Sequence, residues 1–442
     1  MVEMEETIAP AHVPGRRWRI AWLLGIGILV NYFDRVNLSV SHNALIGAFG
    51  ISDVLFGYLS SAYNWTYAAC QLPIGVILDK FGVRRVGRVG TFLWSAASFA
   101  AAATPNLGGF FGARFLLGVG EAPAFPSNAK AIGLWFPARE RSLATALFDA
   151  AAKFASAIGV PLIGIVLIHA GWRWSFAFTG AISFAYFVYF SRVYRDPGDD
   201  PKLTEIERRY IEDRNSAQGA REQDEEPASS LGQLIAQRKV LGLALGFGAY
   251  NYVFYLLLYW LPTYLSSTLH IDLLHSFAYT SVPWLFATGT DLAIGGWLVD
   301  SLVQRGWNAS AVRRVVLIGG TAFGLGILGA AHAQNATQAL VWISVSLGGL
   351  AAAAPVAWSL PSLIAVRGNV GKVGGIINFC GQVSGIAASI LTGYLVSAFH
   401  SYAWAFAVAG AYLAVGIAGY MFLLGKIELP QRLAGTQPAG TA

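Results

Sequence analysis

The sequence has little charge and almost no cysteine. Charged residues make up only 12% of its 442 residues, whereas hydrophobic residues make up 55%. A soluble globular domain is about a quarter charged, and a compact body in water could not hide so much apolar surface. The two cysteines, Cys70 and Cys380, lie in apolar runs, which excludes a disulfide framework and a cysteine-based metal site. The composition therefore favours a membrane protein.

The residue sets that an enzyme or an ATP-driven pump needs are also absent from the sequence. The 7 histidines show no metal-ligand spacing, and no Gly-x-x-x-x-Gly-Lys-Ser/Thr loop is present to hold phosphates. The net charge of +6 does not indicate nucleic acid, because the basic residues lie beside apolar runs. We expect no enzymatic activity, no catalytic residue, no metal and no cofactor, with protons as the coupling ion.

Long hydrophobic runs dominate the chain. A helix needs about 20 mostly apolar residues to cross a bilayer. Twelve such runs occur in two groups of six, near residues 19–41, 54–78, 87–104, 107–130, 142–168 and 173–192, and near 240–268, 276–299, 312–332, 336–364, 372–397 and 402–425. The sequence therefore predicts an all-α integral membrane protein with twelve transmembrane helices.

One long polar segment separates the two groups of runs. We expect a cytoplasmic tail, a six-helix bundle, a cytoplasmic linker, a second six-helix bundle and a second cytoplasmic tail, over residues 1–18, 19–192, 193–239, 240–425 and 426–442. Within the linker, the stretch from Thr204 to Glu207 resembles a helix N-terminus. This pattern is consistent with a turn, a short amphipathic surface helix and a flexible tether, but a plain solvated linker is the more common alternative for such a segment.

Basic residues are concentrated at one end of the predicted helices. With the N-terminus inside, the cytoplasmic loops hold nearly all lysine and arginine residues, and the opposite side holds essentially Arg173 alone. Cytoplasmic loops of membrane proteins carry such an excess. We predict a multi-pass protein of the inner (cytoplasmic) membrane, surrounded by the lipid bilayer, with both termini in the cytoplasm. We expect it to be a monomer.

A short motif occurs at equivalent places in the two halves. Gly75-x-x-x-Asp79 ends the second predicted helix, and Gly296-x-x-x-Asp300 ends the eighth. Glycine permits close helix contact, and an aspartate at a helix end can pair with loop arginines. Two such motifs indicate a duplicated architecture that works by alternating access. We predict a conformational latch that comprises Gly75, Asp79, Gly82, Arg84, Arg85, Gly296 and Asp300.

Several stretches resemble the major facilitator superfamily. The loop from Gly75 to Arg85 is similar to one signature of that superfamily, and the stretch from Arg114 to Ala122 is similar to a second. Other stretches resemble its anion:cation symporter family, namely Asn31–Ser39, Trp65–Tyr67, Gly171–Phe176, Trp260–Leu265 and Gly374–Phe379. That family includes bacterial transporters for hexuronates, galactonate, glucarate and some aromatic acids. The resemblance implies two pseudo-symmetric six-helix bundles that carry a small organic anion together with protons.

Ionisable residues are few within the predicted helices. They are Asp34, Arg35, Arg114, Glu121, Lys130, Asp149, Lys153 and Asp291. A charge inside a membrane is costly and marks a functional site. Because an arginine presents a planar fork that fits a carboxylate, we predict that Arg35 binds the acidic substrate. The resemblance implies the same role for this residue.

Asp34, Glu121 and Arg114 are the predicted proton-coupling residues. Burial disfavours the charged form of a carboxylate unless a cation lies nearby, so Asp34 and Glu121 are candidates for carrying protons. The resemblance implies the same for these two acids. Arg114 and Glu121 are seven residues apart, which places them on one face of a helix. A purely structural Arg114–Glu121 pair is the alternative.

Lys153 departs from the pattern that the resemblance implies, because many family members have an uncharged residue around this position. Two hypotheses carry equal weight. In one, Lys153 forms an ion pair with Asp291 between the two halves; in the other, it contacts the substrate. Asp149, one turn before Lys153, could replace Asp291 as its partner.

Uncharged polar side chains recur at helical spacing, as in Tyr63, Tyr67 and Gln71. Such stripes can hold helices together, but their convergence favours a cavity between the halves. The predicted substrate-binding residues are Tyr32, Arg35, Tyr67, Lys153, Tyr255, Trp358, Asn378 and Gln382. We expect a hexonate or hexuronate as substrate, with an aromatic or dicarboxylic acid as the alternative. The two acids favour proton symport over anion exchange or uniport.

Overall fold

The computed structural model describes residues 13–137, 140–219, 230–365 and 367–427. These residues form helices joined by short turns, with no β-strand among them. The helices of the first half are α1 (Arg16–Val40), α2 (His42–Phe49), α3 (Asp53–Ala103), α4 (Leu107–Glu121), α5 (Ala124–Trp135), α6 (Arg141–Ala170) and α7 (Trp172–Val193).

The linker and the second half are also helical. The linker contains α8 (Glu205–Gly219) and α9 (Leu231–Ile235). The helices of the second half are α10 (Arg238–Thr268), α11 (Leu273–Thr290), α12 (Val299–Gln304), α13 (Ala309–Gly324), α14 (Ile327–Ala330), α15 (Ala336–Ser359), α16 (Pro361–Ile364), α17 (Arg367–Phe399) and α18 (Ala403–Ala418). A π-helical segment, Asp291–Leu298, joins α11 to α12, and a second, Gly419–Leu424, extends α18.

All twelve predicted membrane runs fall on helical structure. By length and composition, eight helical stretches of the described residues can each cross a membrane, and a ninth does so if α2 and the start of α3 count as one bent span. The other predicted runs are fused or interrupted. Helix α3 carries the second and third runs, α4 and α5 share the fourth, and the eighth passes through α11, the π-helical segment and α12.

The interruptions have local causes. Gly82, within α3, has φ 74° and ψ 166°, a conformation that glycine adopts without the steric penalty of a side chain, and it separates the second run from the third. Pro123 lies between α4 and α5 and lacks the N–H group that would continue the first helix. Glu121 is therefore the last residue of α4, at a break inside the bundle.

The third and fourth runs pack backbone against backbone. A Cβ atom at Gly90 would lie 2.8 Å from the carbonyl oxygen of Gly120, and one at Gly120 would lie 2.6 Å from the backbone nitrogen of Trp94. Small residues permit such close approach between membrane helices. This contact fixes the C-terminal end of α4, and with it Glu121, against α3.

The two halves meet away from the linker. The Ser39 hydroxyl donates to the carbonyl oxygen of Tyr259 at 2.9 Å, and the hydroxyls of Tyr58 and Tyr394 lie 3.3 Å apart. On the linker side, a Cβ atom at Gly374 in α17 would meet nothing within 4 Å. The halves are thus closed on the side opposite the linker, whereas α17 borders open space on the linker side.

The start of the linker is fixed to the first half. Glu207 in α8 is fully buried, and its Oε1 accepts hydrogen bonds from the backbone N–H and the Nη1 of Arg17, both at 3.0 Å. Its Oε2 accepts from the backbone N–H of Arg16 at 3.1 Å, and Arg16 forms an ion pair with Asp200 at 2.7 Å. A carboxylate at a helix N-terminus satisfies unpaired N–H groups and opposes the helix dipole. Glu207 therefore caps α1 from the linker.

This cap predicts a stability effect of Glu207→Gln. We expect the Tm of the purified protein in detergent to fall by roughly 5 °C, because removing one partner of a buried ion pair costs about 3–5 kcal/mol. The matched control is Glu205→Gln in the same helix, whose side chain is 65% exposed and forms only surface ion pairs. That control should leave the Tm within roughly 1 °C. Equal Tm values for the two variants would contradict the cap.

Candidate functional site

A cavity lies between the two halves. The empty space between its walls is about 510 Å³, including the part that is open to solvent. Helices α1, α3, α5 and α6 contribute one side, and α10, α15 and α17 contribute the other. The cavity therefore lies where alternating access requires a substrate site.

The structure places all eight predicted substrate-binding residues on the cavity wall. The remaining lining residues are Phe125, Asp149, Ala152, Phe247, Tyr250, Asn251 and Phe254. Among these, Asp149 and Asn251 stand out in the sequence as an acid and a polar residue within apolar runs. The aromatic residues carry no such signal, because an aromatic side chain on a membrane helix can equally face lipid or a neighbouring helix.

Arg35 and Glu121 form a buried ion pair beside the cavity. The Nε of Arg35 donates to Glu121 Oε2 at 2.9 Å, and the two side chains are 2% and 0% exposed. Arg35 Nη2 and Glu121 Oε1 have no hydrogen-bond partner among the residues that the structure describes. Only part of the hydrogen-bonding capacity of each group is therefore used.

Three tyrosine rings surround the guanidinium group of Arg35. Its central carbon lies 4.5 Å, 4.7 Å and 5.4 Å from the ring centroids of Tyr32, Tyr63 and Tyr67. Cation–π contacts of this kind strengthen when the groups are desolvated. The rings therefore fix the position of the planar fork and keep water from its faces. Tyr63 is missing from the predicted site, although it belongs to the polar stripe of the second run.

Asp34 lies apart from the cavity wall. Its Oδ1 accepts a hydrogen bond from the Ser98 hydroxyl at 2.6 Å, and its Oδ2 accepts one from the Ser183 hydroxyl at 2.7 Å. Asp34 is 1% exposed. The sequence analysis did not identify either serine, because a serine in a membrane helix more often bonds to its own backbone. Both hydroxyls can donate to a charged Asp34, which lowers the cost of its burial.

Arg114 does not pair with Glu121. Its Nη1 donates to the backbone carbonyl oxygen of Asp34 at 3.4 Å, and its Nε and Nη2 have no hydrogen-bond partner in the described part of the chain. Within the described residues, the ion-pair partner of Glu121 is Arg35. The alternative of a structural Arg114–Glu121 pair is therefore wrong for this conformation. Seven residues separate the two by about 10 Å along the helix, whereas Arg35 approaches Glu121 directly from α1.

Lys153 contacts two carboxylates at once. Its Nζ donates to Asp149 Oδ2 at 2.7 Å and lies 2.5 Å from Asp291 Oδ2. The contact with Asp291 has the distance of an ion pair but not the angle of a hydrogen bond. Asp149 is on the same helix as Lys153, whereas Asp291 is in the second half, at the start of the π-helical segment. Such segments often occur at functional sites.

Two amide side chains complete the polar wall. Asn378 Nδ2 donates to Gln71 Oε1 at 2.9 Å, which connects the two halves. The hydroxyl of Tyr255 donates to Gln382 Oε1 at 3.1 Å. Each of these pairs still has donors or acceptors that a hydroxylated ligand could use.

The predicted latch residues lie on the linker side. Gly82 marks the break in α3, and Gly296 lies within the π-helical segment. The backbone of Asp79 is helical, but its side chain is outside the described part of the structure. Asp300 is exposed and forms no ion pair with any described residue. The latch, with Gly75, Arg84 and Arg85, stays a prediction.

Comparisons with known proteins place the chain in a family. The family model of the Major Facilitator Superfamily matches residues 24–312. The chain is 38% identical to the uncharacterized transporter YybO of Bacillus subtilis, over 97% of this chain and 98% of that one. It is 30% identical to the probable galactarate/D-glucarate transporter GarP of Escherichia coli K12, over 93% and 95% of the two chains. It is 29% identical to the D-galactonate transporter of Escherichia coli O6:H1, over 94% and 97%.

Solved structures agree with the fold. The partially occluded, inward-open xylose transporter XylE from Escherichia coli superposes with a TM-score of 0.72 at 15% sequence identity, over 93% of this chain and 98% of that chain. This likeness confirms the predicted fold of two six-helix bundles. Because the family is one of transporters, the protein is not an enzyme. The chain belongs to the major facilitator superfamily and is a multi-pass membrane transporter whose relatives include a D-galactonate transporter and a probable galactarate/D-glucarate transporter.

Proposed function

We propose that the protein is a proton-coupled symporter that imports a sugar acid of the hexonate or hexuronate type by alternating access. One observation carries this proposal. The ion pair of Arg35 and Glu121 lies beside the cavity with Arg35 Nη2 and Glu121 Oε1 both unpartnered. A cation that binds an anion and an acid that binds a proton are therefore in direct contact.

The cavity wall suits a hydroxylated acid. Arg35 would bind the substrate carboxylate through its planar fork. Tyr32, Tyr255, Asn378 and Gln382 offer hydroxyl and amide groups for the substrate hydroxyls. The relative that is a D-galactonate transporter supports this class, and the probable galactarate/D-glucarate transporter, whose named substrates are dicarboxylates, supports sugar acids in general.

Competition for Arg35 would couple the substrate to a proton. When the substrate carboxylate binds Arg35, it displaces Glu121, which leaves a buried carboxylate without its cation. An uncompensated buried charge is strongly unfavourable, and a proton on Glu121 removes it. Substrate and proton then favour each other's binding reciprocally. Asp34, held by two serine hydroxyls and close to Arg114, would be a second proton acceptor.

Alternating access would release the cargo on the linker side. The halves are in contact on the opposite side through Ser39 and Tyr259, and α17 borders open space on the linker side. We assign the linker side to the cytoplasm, because the basic loops lie there, and the membrane to the inner (cytoplasmic) membrane. The conformation is then inward-facing, and Arg35 is already paired with Glu121, as expected once the substrate has been released.

Proteoliposomes loaded with neutral buffer test the coupling. An acidic exterior should drive accumulation of D-galactonate by the wild-type protein. Glu121→Gln and Asp34→Asn should each reduce this gradient-driven uptake at least tenfold, because neither variant can exchange a proton at that position. Glu121→Gln should retain exchange of labelled for unlabelled substrate, because Arg35 remains available.

The matched control for these variants is Glu205→Gln on the exposed face of the linker helix, which should transport at the wild-type rate. Gradient-driven uptake that persists in both Glu121→Gln and Asp34→Asn would contradict proton coupling. The absence of uptake of any sugar acid by the wild-type protein would contradict the substrate class.

A charge exchange tests the ion pair between the halves. Lys153→Asp and Asp291→Lys should each lose more than about 90% of transport, because the first places three acids together and the second places two cations together in a buried site. The double variant restores one cation between two acids and should recover a measurable share of activity. Failure of the double variant to exceed either single variant, at equal protein level and Tm, would argue against the pair.

A further inference from the structure

We propose that Asp149 determines which acids the cavity accepts: it receives hydrogen bonds from the hydroxyl groups of a monocarboxylate and disfavours a substrate with a second carboxylate. This inference rests on the proposed function and specifies its substrate class. It concerns the part of the cavity wall that α6 supplies, where Asp149 and Lys153 lie beside Asp291.

Asp149 is the member of this group that a substrate can reach. Lys153 and Asp291 have side-chain exposures of 3% and 0%, whereas that of Asp149 is 14%. Asp149 and Lys153 both line the cavity, and Asp291 does not. The ammonium of Lys153 lies between the two carboxylates, at 2.7 Å from Asp149 Oδ2 and 2.5 Å from Asp291 Oδ2. Only one of the two Asp149 oxygens is used in this contact.

The charge balance of this group excludes a second carboxylate. With all three side chains ionised, one positive and two negative charges give a net charge of −1. If one of the two acids is protonated, the net charge of this group is zero. In neither state does the group present a net positive charge to a second substrate carboxylate. For Lys153 to bind a substrate carboxylate, it would have to release Asp149 or Asp291, which would leave an unpaired acid in a buried position.

The charge balance around Arg35 is different. Arg35 has a single acidic partner, Glu121, and an unpartnered Nη2. A proton on Glu121 leaves Arg35 with a full positive charge for one carboxylate. Arg35 and Lys153 are the two cationic residues among the described lining residues, so no third cation could compensate a second carboxylate.

The neutral groups near Asp149 do not change the charge balance of Asp149, Lys153 and Asp291. Tyr32, Tyr250 and Tyr255 line the same cavity and contribute hydroxyl groups rather than charge. A substrate hydroxyl is a donor that a carboxylate oxygen accepts as a charge-assisted hydrogen bond. A substrate carboxylate at the same place would be a like charge, and such juxtaposition costs several kcal/mol. The cavity is therefore complementary to an acid with one carboxylate and a hydroxylated far end.

Two pairs of sugar acids with matched carbon skeletons test this inference. D-Galactonate and galactarate form one pair, D-gluconate and D-glucarate form the other, and the members of each pair differ in whether the far end is a hydroxyl or a carboxylate. Isothermal titration of the purified full-length chain would give the Kd of each. We expect the monocarboxylate of the better-binding pair to bind at least about tenfold more tightly than its dicarboxylate.

Asp149→Asn should narrow the difference in Kd between the monocarboxylate and its matched dicarboxylate. It removes the negative charge that faces the cavity and leaves Lys153 paired with Asp291, so dicarboxylate affinity should rise and monocarboxylate affinity should fall, each by roughly threefold or more. Asp149→Glu keeps the charge and should keep the preference. If Asp149→Asn does not fold, Asp149→Ser removes the same charge with a smaller side chain.

The outcomes separate this inference from the proposed function. A wild-type protein that binds galactarate or glucarate as tightly as the matched monocarboxylate overturns the inference but leaves a sugar-acid symporter. If a folded Asp149→Asn or Asp149→Ser variant has the same ratio of dicarboxylate Kd to monocarboxylate Kd as the wild-type protein, the role of Asp149 is overturned. Binding of none of the four acids overturns the proposed substrate class and this inference with it.

Discussion

Arg35 and Glu121 face each other where almost no solvent reaches either side chain, and Arg35 lies on the wall of the cavity between the two halves. A buried charge must stay compensated, so neither group can change its partner without a second event. In the proposed mechanism, that event is binding of an anion for Arg35 and binding of a proton for Glu121. The tyrosine rings around Arg35 hold the fork in place, and the two serine hydroxyls on Asp34 let a second acid remain charged nearby.

The helical framework explains why these groups meet. Glu121 lies at the end of α4 because Pro123 stops the helix, and the close packing of Gly90 and Gly120 fixes that end against α3. The linker, through Glu207, fixes the start of the helix that carries Arg35. The site is therefore assembled within the first half, while the second half supplies cavity walls and the contact of Asp291 with Lys153.

Much of this could be predicted from the sequence, because a charge within an apolar run is rare and therefore visible. Arg35, Glu121, Lys153 and Asp291 were recognisable for that reason, and glycine and aspartate motifs at matching places indicated the duplicated fold. Partners were harder to predict. Helical spacing shows which residues share a face, but it does not show which neighbouring helix crosses that face. The structure was therefore needed to show that the partner of Glu121 is Arg35 and not Arg114. Ser98, Ser183 and the cap by Glu207 involve residue types that are common in these environments and give no distinct signal.

Proton exchange during substrate binding tests the central claim most directly. Titration of purified protein with a sugar acid, repeated in buffers of different ionisation enthalpy, measures the protons taken up or released per substrate bound. If the substrate displaces Glu121 from Arg35, binding should take up protons near neutral pH, in a ratio approaching one per substrate, and Glu121→Gln should abolish this uptake while binding persists. Binding without proton uptake by the wild-type protein, or equal uptake by Glu121→Gln, would contradict the account.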